Sequence, residues 1–367
     1  MKILVTGSNG FLGKNLILKL RENEYADILL YNKSKTLKTL NEFIKKCDVI
    51  FHLAGLNRSD DIKKFNQINF ELTKYICDKA ALTNRHIPIV YSSSIQSSKK
   101  NYYGISKKKA EKYLLRYSKI SNSKVYIYKL PNIFGKWSKP NYNSVISTFC
   151  HNVANNKPII IFDKSEILSL IHVDDVIEAF LKLLRKNKKT SGYQKINKTH
   201  NVNILKIVNI LEYFKDSNMN LDASTKYESF KAKLYSTYCS YLPKKSFSYT
   251  LKNNSDNRGN FIEFTKNSLG QHSYFTAYPK VTRGGHYHHR KVEKFLVLDG
   301  QAEFKFKHII SNKIINIQVK AKDNRVVLSI PGWAHTITNT GKNNMIVLLW
   351  ANEVYNKNKP DTYIHEV

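Results

Sequence analysis

Two groups of residues in this 367-residue chain are spaced for chemistry, and the two chemistries differ. Near the start, Gly7-Ser8-Asn9-Gly10-Phe11-Leu12-Gly13 is a glycine turn, and Tyr103-Gly104-Ile105-Ser106-Lys107 sets a phenol and an ammonium four residues apart. On a helix that spacing puts both on one face. A free phenol titrates near ~10, and an adjacent cation lowers that value by favouring the phenolate. The tyrosine can then exchange a proton near neutral pH. The run Ser92-Ser93-Ser94 supplies a hydroxyl for a substrate carbonyl. Near the end, His286, His288, Glu293 and His335 offer three imidazoles and a carboxylate. That donor set suits a borderline divalent ion such as zinc, nickel, manganese or iron, with zinc the expected one.

The elements that must position these groups fall into two classes. Lys2 to Thr6 reads as a buried strand, the glycine turn follows, and Lys14 to Arg21 has helical spacing. Strands are expected at Ile28 to Tyr31, Asp48 to Leu53, Ile89 to Ser92 and Val125 to Leu130, with a helix over Lys107 to Tyr117. Strands alternating with helices predict an α/β, Rossmann-type doubly wound parallel sheet. Further helices are expected over Asp174 to Arg185 and Ile204 to Phe214, whereas 215–242 has weak periodicity. From Tyr249 onward short β-type runs alternate with turn signals such as Asp299-Gly300 and Pro331-Gly332, which predicts an all-β barrel. The expected domains are 1–245 and 246–367.

A glycine turn between a strand and a helix is what a dinucleotide site requires. Gly7, Gly10 and Gly13 let the backbone approach a pyrophosphate, which then faces the helix N-terminus. The segment after the second strand, Tyr31-Asn32-Lys33-Ser34-Lys35, carries no acid for a ribose hydroxyl. Its basic residues, Lys33 among them, suit a 2′-phosphate, so NADPH is the expected cofactor. In the barrel, His286 and His288 share one face of a strand, Glu293 comes from the next strand, and His335 from a separate hairpin.

The formal charge of +32 raises nucleic acid as a partner. The lysines are scattered, however, and no helix-turn-helix, zinc finger or aromatic-basic platform accompanies them. An anionic small substrate suits the same surface, and no nucleic acid is expected. Four distant cysteines without a CxxC fit free thiols in a reducing compartment. No apolar run approaches the roughly 18 residues of a membrane helix, and the chain opens directly on a strand. A cytoplasmic protein without a membrane partner is therefore expected.

The N-terminal half resembles the extended short-chain dehydrogenase/reductase family, above all its nucleotide-sugar epimerases and reductases. The resemblance implies that Tyr103, Lys107 and a serine act together while hydride passes to or from a sugar ketone. Ser94, the third of the serine run, is the one implied, although it stands closer to Tyr103 than in many extended members. It also implies cofactor contacts from Gly7, Asn9, Gly10, Phe11, Leu12 and Gly13, from Leu53, Ala54 and Gly55, from Tyr103 and Lys107, and from Pro131. Ser94 and Asn132 fall on the substrate side. The C-terminal motifs, His286-x-His288-x4-Glu293 and Pro331-Gly332-x-x-His335, resemble those of the cupin family.

A reductase followed by a cupin is similar to the bifunctional capsular-polysaccharide enzymes of the UDP-N-acetyl-L-fucosamine pathway. The resemblance runs along nearly the whole chain and includes Ser92-Ser93-Ser94-Ile95-Gln96, the run from Phe134 to Ile146, Tyr235-Ser236-Thr237-Tyr238 and Pro360-Asp361-Thr362-Tyr363. It implies C3 epimerisation of a UDP-2-acetamido-2,6-dideoxy-hexos-4-ulose by the cupin half, then NADPH reduction at C4. His289, Lys294 and a tyrosine are candidates for the base at C3. Both folds commonly associate, so a homodimer is expected. The alternative is a UDP-4-keto-sugar reductase whose cupin only aids assembly or substrate binding.

Overall fold

The apolar runs near the N-terminus are strands in the computed structural model: β1 (Ile3–Thr6), β2 (Ile28–Tyr31), β3 (Val49–His52), β4 (Ile89–Ser94) and β5 (Val125–Leu130). They are followed by β6 (Asn132–Phe134), β7 (Ile167–His172), β8 (Gly192–Gln194) and β9 (Thr199–Asn203). Six of these form one parallel sheet in the order β2-β1-β3-β4-β5-β8. A small second sheet has the order β6-β7-β9. The structure describes every residue except 186–189, 217–228, 247, 249 and 268–269.

Alternate residues of the parallel strands enter two separate cores. Ile3, Val5 and Phe51 pack with Leu16 and Leu20 of the helix Phe11–Glu22 and with Val176 and Phe180 of the helix Val173–Arg185. Leu4, Ile50 and Tyr91 pack on the other face with Leu40, Ile76, Ala110 and Leu114. Those four come from the helices Leu37–Lys46, Leu72–Ala81 and Tyr102–Ser121. Each large apolar side chain so buried contributes about 1.5–3 kcal/mol. This is the doubly wound arrangement expected, and burial on both faces is why these strands read as continuous apolar runs.

The strand order reverses beside β1, which leaves a crevice at the carboxyl ends of β1 and β3. Gly7 has φ +68°, and a Cβ on it would lie 2.7 Å from the Ala54 nitrogen. The glycine turn is therefore packed directly on the loop leaving β3. Two expected elements are longer than their sequence signals. β4 runs on to Ser94, and the helix that carries the Tyr103–Lys107 pair begins at Tyr102. Asn101 starts it by accepting the Gly104 amide at 2.7 Å through its side chain.

The β-rich half contains β10 (Asn253–Asp256), β11 (Gly259–Asn267), β12 (Gly270–Ala277), β13 (Thr282–Tyr287), β14 (Glu293–Asp299) and β15 (Gln301–His308). It continues with β16 (Ile314–Lys320), β17 (Val326–Ser329), β18 (Trp333–Asn339), β19 (Met345–Ala351) and β20 (Tyr363–Ile364). Two antiparallel sheets result, β10-β11-β12-β19-β14-β17 and β16-β15-β18-β13-β20. Their inner faces enclose Phe275, Phe295, Phe304, Ile337 and Val347. This is a cupin-like domain. The strand Ile314–Lys320 carries three isoleucines and a valine, yet five of its seven residues are exposed.

The chain forms two compact units. Among the described residues, one comprises Met1–Lys215 with Phe230–Pro243, and the other Lys244–Val367. The weakly periodic 215–242 stretch includes a helix, Phe230–Cys239, and its 217–228 part lies outside the described residues. Among the described residues no helix is long and apolar enough to cross a membrane.

A Cβ on Gly104 would come within 2.2 Å of the Gln96 carbonyl oxygen. Gly104→Ala should therefore cost about 1–3 kcal/mol of stability through overpacking. Ile105→Ala, at an exposed position one residue on, should stay within about 0.5 kcal/mol. Denaturant midpoints of the two variants check this.

Candidate active site and metal centre

The helix Tyr102–Ser121 lies along β4 so that one stripe of its residues meets successive serines. Lys107 is 4% exposed and donates from Nζ to the Ser92 carbonyl oxygen at 2.9 Å. Its Nζ also stands 4.7 Å from the centre of the Tyr91 ring. Glu111, one turn further, is 0% exposed and accepts from the Ser93 hydroxyl at 2.5 Å and the Tyr193 hydroxyl at 2.9 Å. Tyr103 is half-buried, with the Ser94 hydroxyl as its polar neighbour and the Phe65 ring edge-on at 6.2 Å.

The three serines make different contacts. Ser93 donates to Glu111, the Ser92 carbonyl anchors Lys107, and the Ser94 hydroxyl, which accepts the Gln96 amide at 3.1 Å, is the one beside the phenol. Pro131 and Asn132 directly follow Leu130, which pairs with Ser94 in the sheet. The structure thus brings Ser94, Tyr103 and Lys107 to one end of β4 and sets Pro131 and Asn132 beside them.

The electrostatics differ from the simple sequence argument. Burial is the largest influence on Tyr103 and raises its pKa, with Ser94 pulling the other way. Lys107 is pushed down to about 8 by burial, and the Glu111 charge opposes that fall. The phenol of the folded protein is therefore held protonated, and the ammonium is spent on the Ser92 carbonyl.

The loop after β3 is fixed by groups that spacing alone did not reveal. His52 is buried between the hydroxyls of Thr6 and Thr73, each at 2.8 Å. Burial first and the Lys107 charge second push its pKa down to about 3, so it is neutral. Asn69 sits in a π-helical turn, Asn66–Glu71. It bonds Leu56 through both amide atoms at 2.8 Å and the Ser106 hydroxyl at 3.0 Å. Leu53, Ala54 and Gly55 are held between these anchors and the glycine turn. A Cβ on Gly55 would lie 3.1 Å from the Lys107 Nζ.

These features fit a dinucleotide. The helix Phe11–Glu22 follows Gly10 with no side-chain cap, so its first amides are free for phosphate oxygens. Asn9 and Gly10 are exposed, and Phe11 and Leu12 are half-buried at that turn. After β2, the Asn32 side chain accepts the Ser34 amide at 3.0 Å, and Lys33 and Lys35 are exposed, with the Lys35 Nζ 5.8 Å from the centre of the Phe43 ring.

In the second unit the four expected ligands converge. One donor atom each from His286, His288, Glu293 and His335 lie within 4.8 Å of one another. Oε2 of Glu293 is 3.2 Å from Nε2 of His288 and 3.3 Å from Nε2 of His335. The strand argument needs one correction: β13 ends at Tyr287, and a bulge between Gly284 and His286 aims His286 inward opposite His335. His288 belongs to the turn beyond.

His288 tests whether these residues suit a cation. Its Nδ1 is 2.5 Å from the Asp361 carbonyl oxygen, which requires an N–H there. The Nε2 of a neutral ring is then a lone pair aimed at a carboxylate oxygen. Two acceptors at that distance need a cation between them, either a proton or a metal ion. His335 Nδ1 likewise meets the Ser329 hydroxyl at 2.9 Å, and the rings of Phe295 and Phe306 wall the cluster. Burial opposes the charge on Glu293, but His288 and His335 hold its carboxyl well below the usual range. Burial and then His335 push His286 down to about 4, so the ring is neutral and able to ligate.

The candidates for a base separate clearly. Lys294 alternates with inward Glu293 along β14 and is exposed, with its Nζ 4.9 Å from the Trp350 ring centre. His289 is exposed and packs edge-on to Tyr363. Tyr287 stacks on Tyr363 on the same outer side. Lys291, which sequence reasoning missed, is buried with Nζ 3.8 Å from Oε1 of Glu293.

Residues 3–197 match the NAD dependent epimerase/dehydratase family. The chain belongs to that family. Residues 254–363 match the polysaccharide biosynthesis C-terminal domain. The chain is 42% identical over 364 residues to a UDP-2-acetamido-2,6-beta-L-arabino-hexul-4-ose reductase of Pseudomonas aeruginosa, covering 99% of this chain and 98% of that one. It is similar to the crystal structure of the capsular polysaccharide assembling protein CapF of Staphylococcus aureus, with TM-score 0.91, 38% identity and all of both chains covered. A UDP-glucuronic acid 4-epimerase of Bacillus cereus matches 66% of this chain and 99% of its own, with TM-score 0.57 and 16% identity, which shows the shared fold.

The serines should separate by experiment. Ser93→Ala leaves the buried Glu111 without its shortest hydrogen bond and should cost about 1–3 kcal/mol. Ser94→Ala gives up the acceptor of the Gln96 amide, worth about 0.5–2 kcal/mol, and should lower turnover of the nicotinamide cofactor far more than Ser93→Ala does. The opposite pattern would reassign the hydroxyl.

Proposed function

We propose that residues 1–245 are an NADPH-dependent reductase and residues 246–367 a metal-dependent C3 epimerase. Both act on one UDP-2-acetamido-2,6-dideoxy-hexos-4-ulose. The supporting observation is the meeting of Ser94, Tyr103 and Lys107 in a chain 42% identical, end to end, to a reductase of such a 4-keto sugar.

Bound NADPH supplies the hydride for C4. Tyr103, kept protonated by burial, donates its phenolic proton to the C4 oxygen as the ketone becomes an alcohol. The Ser94 hydroxyl bonds the same oxygen and orients it. Lys107, anchored on Ser92, keeps positive potential beside the phenol and so eases loss of its proton.

A divalent ion held by His286, His288, Glu293 and His335 would supply Lewis acidity at the C4 carbonyl. The order of steps follows from carbon acidity. The C3 proton is acidic only while C4 is a ketone, because the enolate needs that carbonyl. Reduction at C4 removes the carbonyl, so inversion at C3 must come first. The reductase then locks in the configuration that the cupin has set. The Pseudomonas relative is named as a reductase. That favours a second reading, in which the cupin serves assembly or substrate binding only.

Incubation of the UDP-4-keto sugar with NADPH in deuterated water, followed by NMR, separates these readings. Tyr103→Phe should slow NADPH oxidation by roughly 10²–10⁴-fold and leave deuterium exchange at C3 intact. His288→Ala should suppress that exchange. Exchange lost in Tyr103→Phe would overturn the division of labour, and no C3 deuterium with wild-type protein would establish the second reading.

Cofactor choice is a separate expectation. A charge-assisted contact to a 2′-phosphate is worth about 1.5–3 kcal/mol. The Lys33→Ala, Lys35→Ala double variant should raise KM for NADPH roughly tenfold or more and leave KM for NADH unchanged. A wild-type preference for NADH would sink the assignment.

A further inference from the structure

The segment Pro360-Asp361-Thr362-Tyr363 has no part in the chemistry above, yet it closes on the turn that carries His288. β13 ends at Tyr287 and β14 begins at Glu293, so residues 288–292 have no place in a strand ladder. Their amides need other acceptors. Asp361, 7% exposed, supplies most of them. Its carboxylate accepts the backbone N–H groups of His289 at 3.1 Å, Arg290 at 2.8 Å and Lys291 at 2.8 Å. Its own carbonyl oxygen receives Nδ1 of His288 at 2.5 Å.

The neighbours of Asp361 continue the attachment. Lys291 Nζ donates to the Thr362 hydroxyl at 3.1 Å while lying 3.8 Å from Glu293. Tyr363 pairs with Tyr287 across the β13–β20 ladder, and their rings stack at 5.4 Å. One short stretch, some seventy residues along the chain, therefore holds the strand end, the histidine ring and the turn leading to Glu293. A ring whose Nδ1–H is fixed on a carbonyl presents its Nε2 lone pair in a set direction.

We propose that Asp361 is a positioning residue of the metal centre: the 360–363 segment is a latch that fixes the tautomer and direction of His288 and shapes the ligand cup. The inference rests on the reading that the cup holds a divalent ion.

The test is titration of the full chain with Co(II), followed by visible absorption, together with Zn(II) affinity from competition with a chromophoric chelator. Asp361→Ala should weaken metal affinity roughly 10–100-fold, the range for lost outer-shell partners, and alter the Co(II) ligand-field bands. Both variants keep the backbone carbonyl that receives His288 but lose carboxylate acceptors of the 289–291 amides; Asp361→Asn keeps one side-chain oxygen, so it should recover part of the loss and serves if the alanine variant does not fold. Asp323→Asn is the control, because Asp323 accepts the Lys320 amide in an exposed turn; its bands and affinity should be those of wild type. Wild-type affinity and bands in both Asp361 variants would overturn the latch alone. No Co(II) or Zn(II) uptake by the wild-type protein would overturn the metal centre, and the latch with it.

Discussion

A lysine ammonium almost closed to water is the constraint around which the first unit is built. Lys107 can stay there only because a carbonyl, an aromatic face and a carboxylate one turn away offset its burial. Each partner in turn fixes something else. The Ser92 carbonyl belongs to the last turnless residues of β4, so the helix and the strand edge are held at one height. Glu111 reaches past the strand to Ser93 and Tyr193. Tyr103, one turn back on the same stripe, is thereby brought to Ser94. The close approach that permits all of this is made at Gly104, where there is no side chain to hold the helix away.

The second unit solves the reverse problem. There a carboxylate is buried among imidazoles, and the hydrogen-bond directions leave acceptors facing each other unless a cation intervenes. Ser329 and the Asp361 carbonyl take the outer ring nitrogens of His335 and His288, which turns the inner nitrogens toward Glu293. Aromatic walls from Phe295 and Phe306 keep water from relieving that arrangement. A donor set with so little freedom is one that a divalent ion would meet already assembled.

Much of this was legible from local pattern. Apolar runs of four to six residues, a glycine turn and a four-residue Tyr–Lys interval define the parallel sheet and its edge. The stripe continues to Glu111 at the same four-residue interval, but that the acid is buried against Ser93 and Tyr193 is visible only in the folded chain. The choice among Ser92, Ser93 and Ser94 needed the contacts each makes with the helix Tyr102–Ser121. Lys294 is exposed because it alternates with inward Glu293 on β14, whereas Lys291, before that strand, is buried against Thr362 and Glu293.

By itself the sequence determined most of the element types, the glycine turn between β1 and its helix, and the short intervals that set His286, His288 and Glu293 near one another, because these depend on periodicities and intervals within a few residues. Only the tertiary structure decided which serine meets Tyr103, that burial raises its phenol pKa, and that Asp361 holds the His288 turn. Those outcomes depend on contacts between segments tens of residues apart. No local interval encodes them, because packing against a neighbour sets both a side chain's exposure and its hydrogen-bond partners.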